Sequence, residues 1–128
     1  MTLTADEARE RANMARQERA LERRRQKEEH TNRIEGLVDE EIDREIEEHD
    51  VLIRDASAEG LWEITSSRSS NEVERTMVDR LKEFYEGEGY KAKWLEVQVD
   101  FGNEAAPSVI EELQLTIGWR EDHVGKRR

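Results

Sequence analysis

The sequence predicts an α+β protein: a long N-terminal helix, able to serve as a coiled-coil arm, followed by a small α-β-α-β-β domain. Three observations carry this. All three Trp, both Tyr and both Phe lie after residue 60, so the apolar material is in the C-terminal part. Up to residue 58 the apolar residues recur at helical spacing. After Gly60 they switch to strand alternation twice more, around one further helical stretch. The expected sheet is mixed and three-stranded, with the domain's helices on one face. The divisions are a charged arm over 1–33, a domain over 34–120 and a basic tail over 121–128.

The arm reads as helix from Thr4. Thr4 and Glu7 match a capping box, in which each side chain satisfies the other's free backbone N–H. Beyond them lie mainly Ala, Arg, Glu and Gln, which are good helix formers. Glu7–Arg11 and Glu29–Arg33 are i,i+4 pairs in the favoured order. Apart from Met1, only Leu3, Met14 and Leu21 are large and apolar, so the arm cannot build a core. Ala5, Ala8, Ala12 and Ala15, with Met14 and Leu21 seven residues apart, form a thin seam that could receive a partner helix. Two readings stand side by side: a solvated helix that frays when free, and a docking arm that orders on a partner. The Arg23-Arg24-Arg25 run invites a nucleic-acid reading. Glu22, Glu28 and Glu29 flank it, and residues 1–33 hold nine basic against seven acidic groups. That field is too weak for a phosphate-binding face, so direct nucleic-acid contact is not expected.

Asn32 with Glu35 offers a second capping box, so a break near 31–33 is expected. A helix over 34–58 then carries Ile34, Val38, Ile42, Ile46 and Ile53 on one stripe. Unbroken from residue 4, it would be a rod about 80 Å long. Residues 34–50 hold nine acidic groups and one basic. A charge run of this kind is read first as a solvated face. It contains no EF-hand loop, and a metal or a cation-seeking partner is the lesser alternative.

Gly60 stops this helix. A strand over 61–65 follows, then a serine-rich loop, 66–70. Asn71 with Glu74 caps a helix over 72–86, in which Val73, Met77, Leu81, Phe84 and Tyr85 recur. Gly87 and Gly89 end it. A strand over 90–101 shifts parity between Trp94 and Leu95, which predicts a bulge or burial of both faces there. After a loop, 102–111, holding Pro107, residues 112–119 alternate as a strand. The last two strands should form an antiparallel hairpin. The first two should pair in parallel through a right-handed crossover. Tyr90 and Trp94 are either core or an exposed aromatic contact patch.

Cys is absent and no run approaches about 20 apolar residues, which excludes a disulfide scaffold and a membrane span. The N-terminus has no apolar stretch of the signal-peptide kind. His30, His49 and His123 lie far apart and outside ligand spacing. No nucleophile elbow, phosphate loop or dinucleotide fingerprint occurs. No catalytic residue, cofactor or metal is therefore expected.

The plan AEGLWEI, then LKEFYEGEGYKAKW, then LTIGW, over residues 42–119, resembles small proteins of tailed bacteriophages. There a helix, Gly, strand, helix, Gly-Tyr step and closing strand recur. The resemblance implies a virion accessory protein of the head, neck or tail, made in the host cytoplasm. Its motifs are structural and carry over no functional residue. The expected function is a non-enzymatic assembly protein with protein partners, as a homo-oligomer or in a larger assembly. The alternatives are an acidic inhibitor that mimics DNA, suggested by the net charge of −11, and a small DNA-binding regulator.

Overall fold

The computed structural model describes residues 2–100, 102 and 108–121. Its elements are helix α1 (Ala5–Ala58), strand β1 (Glu63–Ser69), helix α2 (Glu72–Gly87), strand β2 (Lys91–Asp100) and strand β3 (Val109–Gly118). The chain divides into two units, Met1–Glu35 and Gly36–Arg128.

The first unit is the arm, helical from Ala5. Thr4 Oγ1 accepts from the Glu7 N–H at 3.2 Å, as the expected cap requires. The expected Glu7–Arg11 and Glu29–Arg33 pairs do not form. Arg9 instead reaches Asp6, and Arg25 reaches Glu22, each at 2.7 Å across i,i+3. The helix does not break at residues 31–33. Asn32 is an adequate helix residue when the next turn is already in place, so its capping potential goes unused.

The second unit is built on a sheet ordered β1-β3-β2. Both neighbouring pairs are antiparallel, which corrects the expected mixed sheet. The hairpin of β2 and β3 forms as expected. β1 and β2 run in the same direction through the α2 connection, but β3 lies between them. The reason is burial. Leu113, Leu115 and Ile117 are the most apolar alternating set and are all 0–1% exposed. Such a strand belongs in the centre, whereas polar β1 suits an edge.

The β2–β3 register is unbroken from Lys91↔Gly118 to Asp100↔Val109. There is no bulge at Trp94-Leu95. Ala92 and Trp94 share the helix-covered face with Leu115 and Ile117, while Leu95, Val97 and Val99 lie on the open face with Ile110. The parity shift marks a strand that uses both faces.

On the covered face, Met77, Val78, Leu81 and Tyr85 of α2 and Val38 and Ile53 of α1 join Leu113, Leu115 and Ile117 in one core. Gly60 (φ +85) and Gly89 (φ +95) close their helices in left-handed geometry, with Leu61 N–H donating to the Ala56 carbonyl and Tyr90 N–H to the Tyr85 carbonyl, each at 2.9 Å. β1 is shifted from the expected 61–65 to Glu63–Ser69 and absorbs the serine-rich segment. Residues 103–107 of the expected loop, with Pro107, and nearly all of the tail lie outside the described residues.

Candidate interaction surfaces and the buried polar cluster

The serine-rich strand leads to a polar cluster inside the domain. Ile64, Ser66 and Arg68 alternate toward the helices. His49, 3% exposed, receives Ser66 there: its Nε2 lies 2.9 Å from Ser66 Oγ, and its Nδ1 lies 2.7 Å from the Glu45 carbonyl oxygen. A carbonyl can only accept, so Nδ1 carries the proton. In the neutral ring, Nε2 then accepts from the serine hydroxyl. This hydroxyl–imidazole contact has the form of a nucleophile and its base. With His49 buried and Ser66 half-buried, the contact joins α1 to β1.

Arg68 extends the cluster, donating to Glu45 and to Glu74, each at 2.8 Å. Burial works against its charge, and the hydrogen bonds to both carboxylates outweigh it, raising its pKa. Its Nε is buried without a hydrogen-bond partner. Tyr85 shares its hydroxyl proton between the Ile46 carbonyl at 3.1 Å and Asp50 at 2.8 Å. Burial, followed by the Asp50 carboxylate, pushes its phenol well above the usual 10.0. Asp39 accepts from Arg80 at 2.6 Å. Asp39, Glu45 and Asp50 therefore tie α1 to its own domain, so the acidic run is not wholly a solvated face. Sequence reasoning missed this cluster. The available signal was the i,i+4 pair Glu45–His49 together with polar residues at alternate positions after Ile64.

A second polar group sits beyond the helices. Ser70 donates to Glu96 at 2.6 Å. That hydrogen bond, then one with Glu111, lowers the Glu96 pKa, while Glu96 pushes Glu111 up. The pair behaves as like charges sharing one site. Among the described residues, no group of three or more His, Cys, Asp or Glu is placed to hold a metal. No helix among them is long and apolar enough to cross a membrane.

The expected interaction residues fall into two sets. On the arm, all side chains from residue 2 to 33 are exposed except half-buried Ala15. Met14 is 58% and Leu21 61% exposed. One helix residue turns about 100°, so Ala5, Ala8, Ala12 and Ala15 share one side, and Met14 and Leu21 fall on roughly the opposite one. The expected single seam is two thin stripes. Arg23, Arg24 and Arg25 fan around the axis by the same arithmetic, and Arg25 is tied to Glu22. That hydrogen bond, then the Glu22 charge, raises the Arg25 pKa.

In the domain, Tyr90 and Trp94 are half-buried against the core. Tyr90 packs edge-on between Tyr85 and Trp119, with ring centroids 5.4 and 6.3 Å away. The Trp94 indole N–H donates to Asp79 at 2.7 Å. Both flank the core, half-buried against it, so neither stands as an exposed patch. The most exposed aromatic among the described residues is Trp62, at 53%. It lines an open depression of about 600 Å³ with Lys91, Lys93, Thr116, Gly118 and Arg120. The Arg120 guanidinium lies 5.8 Å from the Trp62 ring centroid, within cation–π range.

No family model, curated protein or solved structure matches the chain.

Proposed function

We propose that the protein is a non-enzymatic assembly component whose N-terminal helix docks on partner subunits. Given the resemblance over residues 42–119, the particle is the virion of a tailed bacteriophage, with this chain a minor part of its head, neck or tail. One observation carries the docking role: the arm is a long helix with none of its side chains fully buried. A lone polar helix is marginal in water, because its stability otherwise comes from packing an apolar face. Two stripes on opposite sides suit insertion between helices better than a simple two-stranded coiled coil.

The acidic-inhibitor alternative has fewer free carboxylates than the sequence suggests, since Asp39, Glu45 and Asp50 are engaged within the domain. Light scattering on the full chain and on a variant lacking residues 1–31 tests the proposal. The truncated protein should keep the domain's melting transition and lose assembly, either with itself or with co-expressed virion proteins. Normal assembly without the arm would sink the docking role.

A further inference from the structure

The depression beside Trp62 has a chemistry at odds with the rest of the chain. The protein carries a net −11, yet Lys91, Lys93 and Arg120 converge here. Lys91 and Lys93 are exposed, project from the open face of the edge strand β2 and form no ion pair among the described residues. Two residues apart on a strand, their Cα atoms are spaced by roughly 6.6 Å, close enough for both ammonium groups to reach one anion. Glu63, across from Gly118, and Glu121 also line it, leaving three cations against two carboxylates.

The floor is left open by Gly118. A Cβ there would lie 3.6 Å from the Trp62 carbonyl oxygen and 3.7 Å from Glu63 Cβ, so any side chain would project into the space. The Trp62 backbone is fixed because its carbonyl accepts from the Trp119 N–H at 3.0 Å, extending the β1–β3 ladder by one bond. Its indole supplies a flat stacking surface beside a cation. A volume of about 600 Å³ suits a small organic ligand.

We infer that this depression binds a small anion with a planar base, of the nucleoside monophosphate class. The base stacks on Trp62, and the phosphate sits between Lys91 and Lys93. A polynucleotide is disfavoured, because each further phosphate meets the field of an acidic protein. A single nucleotide meets mainly the local cations.

The test is an amide and indole NMR titration of the full chain with adenosine monophosphate, adenosine, inorganic phosphate and a short single-stranded oligonucleotide. The monophosphate should shift the Trp62 indole and Gly118 amide signals saturably in the millimolar range or better. Adenosine and phosphate alone should bind at least tenfold more weakly. Lys91→Ala with Lys93→Ala should weaken binding tenfold or more. Gly118→Val should block it while keeping every charge, with unchanged Leu115 and Ile117 amides showing that the sheet is intact. No saturable shift with the monophosphate, or equal binding by the lysine double variant, would overturn the proposal. Much tighter binding of the oligonucleotide would overturn it in favour of a single-strand surface.

Discussion

Leu21 and Leu115 are the same residue type in two regions under different rules. Leu21, on the arm, is 61% exposed, and Leu115, on the central strand, is 1% exposed. The arm is helical through local terms: propensity, a cap, and i,i+3 ion pairs between exposed groups. The domain is held by burial and by polar groups that cross between elements. Local terms amount to tenths of a kcal/mol each, whereas a buried aliphatic side chain contributes about 1.5–3 kcal/mol. Such a chain should melt as two objects.

The largest contrast comes from trimming the two leucines. Leu115→Ala should cost about 2–5 kcal/mol, the loss of burial plus a cavity, and lower the domain's melting temperature steeply. Leu21→Ala should leave that transition where it is. Calorimetry on both variants decides the matter. Equal shifts would mean that the arm packs on the domain, and the contrast would fail.

The next contrast lies inside the domain. Arg68→Ala would leave Glu45 and Glu74 facing each other without their shared cation. The site is nearly buried, so the cost should be about 1–3 kcal/mol in denaturant titration. Removing exposed Arg25 from the arm should leave the domain's midpoint unmoved, since exposed ion pairs contribute little. A variant with Arg68→Met and both glutamates changed to Gln should recover part of the loss. No recovery would show that hydrogen-bond geometry, rather than stranded charge, sets the cost.

This cluster also marks where the sequence stops being legible. Both helices of the domain, their glycine stops and the β2–β3 hairpin follow from periodicity and end signals, because a 3.6-residue stripe and a two-residue alternation are local patterns. β1 was misplaced because Ser66-Ser67-Arg68-Ser69 has turn chemistry. Only tertiary partners, His49 for Ser66 and Glu45 with Glu74 for Arg68, make it a strand. The sheet order was misjudged for a related reason. Adjacency in sequence favoured β1 beside β2, while the apolar set Leu113, Leu115 and Ile117 claimed the middle. From the sequence, Tyr90 and Trp94 read equally as core or as an exposed patch, because strand alternation does not say which face is covered; both pack against the core. Trp62, just outside β1, is the most exposed aromatic among the described residues.

Tyr85 gives a smaller effect with a pH signature. Tyr85→Phe should cost about 1–2 kcal/mol, through the lost hydroxyl bonds to Ile46 and Asp50. The folded phenol is held above its ordinary value of 10.0. Below pH 10 it is neutral in both states and stability does not depend on it. Above that, the unfolded chain loses the proton first, so stability falls with rising pH by up to about 1.4 kcal/mol per unit. The phenylalanine variant should lack this component of the decline. An identical alkaline profile in both proteins would rule out the assigned role of the hydroxyl.

The smallest effect separates the two regions by the same chemistry. Thr4 Oγ1 caps the arm by accepting from Glu7 N–H at 3.2 Å, and Asn71 Oδ1 caps α2 by accepting from Glu74 N–H at 2.9 Å. Replacing such a cap by Ala typically costs about 1 kcal/mol. In α2 that cost is cooperative with the core, because Met77, Val78 and Leu81 of the same helix are buried. Asn71→Ala should therefore lower the domain's midpoint with the helical circular dichroism below melting unchanged. In the arm the cost has no core to be shared with. Thr4→Ala should reduce the helical signal by fraying the first turns and leave the domain's midpoint alone. If a partner orders the arm, adding it should erase the Thr4→Ala difference, since packing then outweighs the cap. A Thr4→Ala variant that lowers the domain's midpoint as much as Asn71→Ala would show that the arm and the domain fold as one.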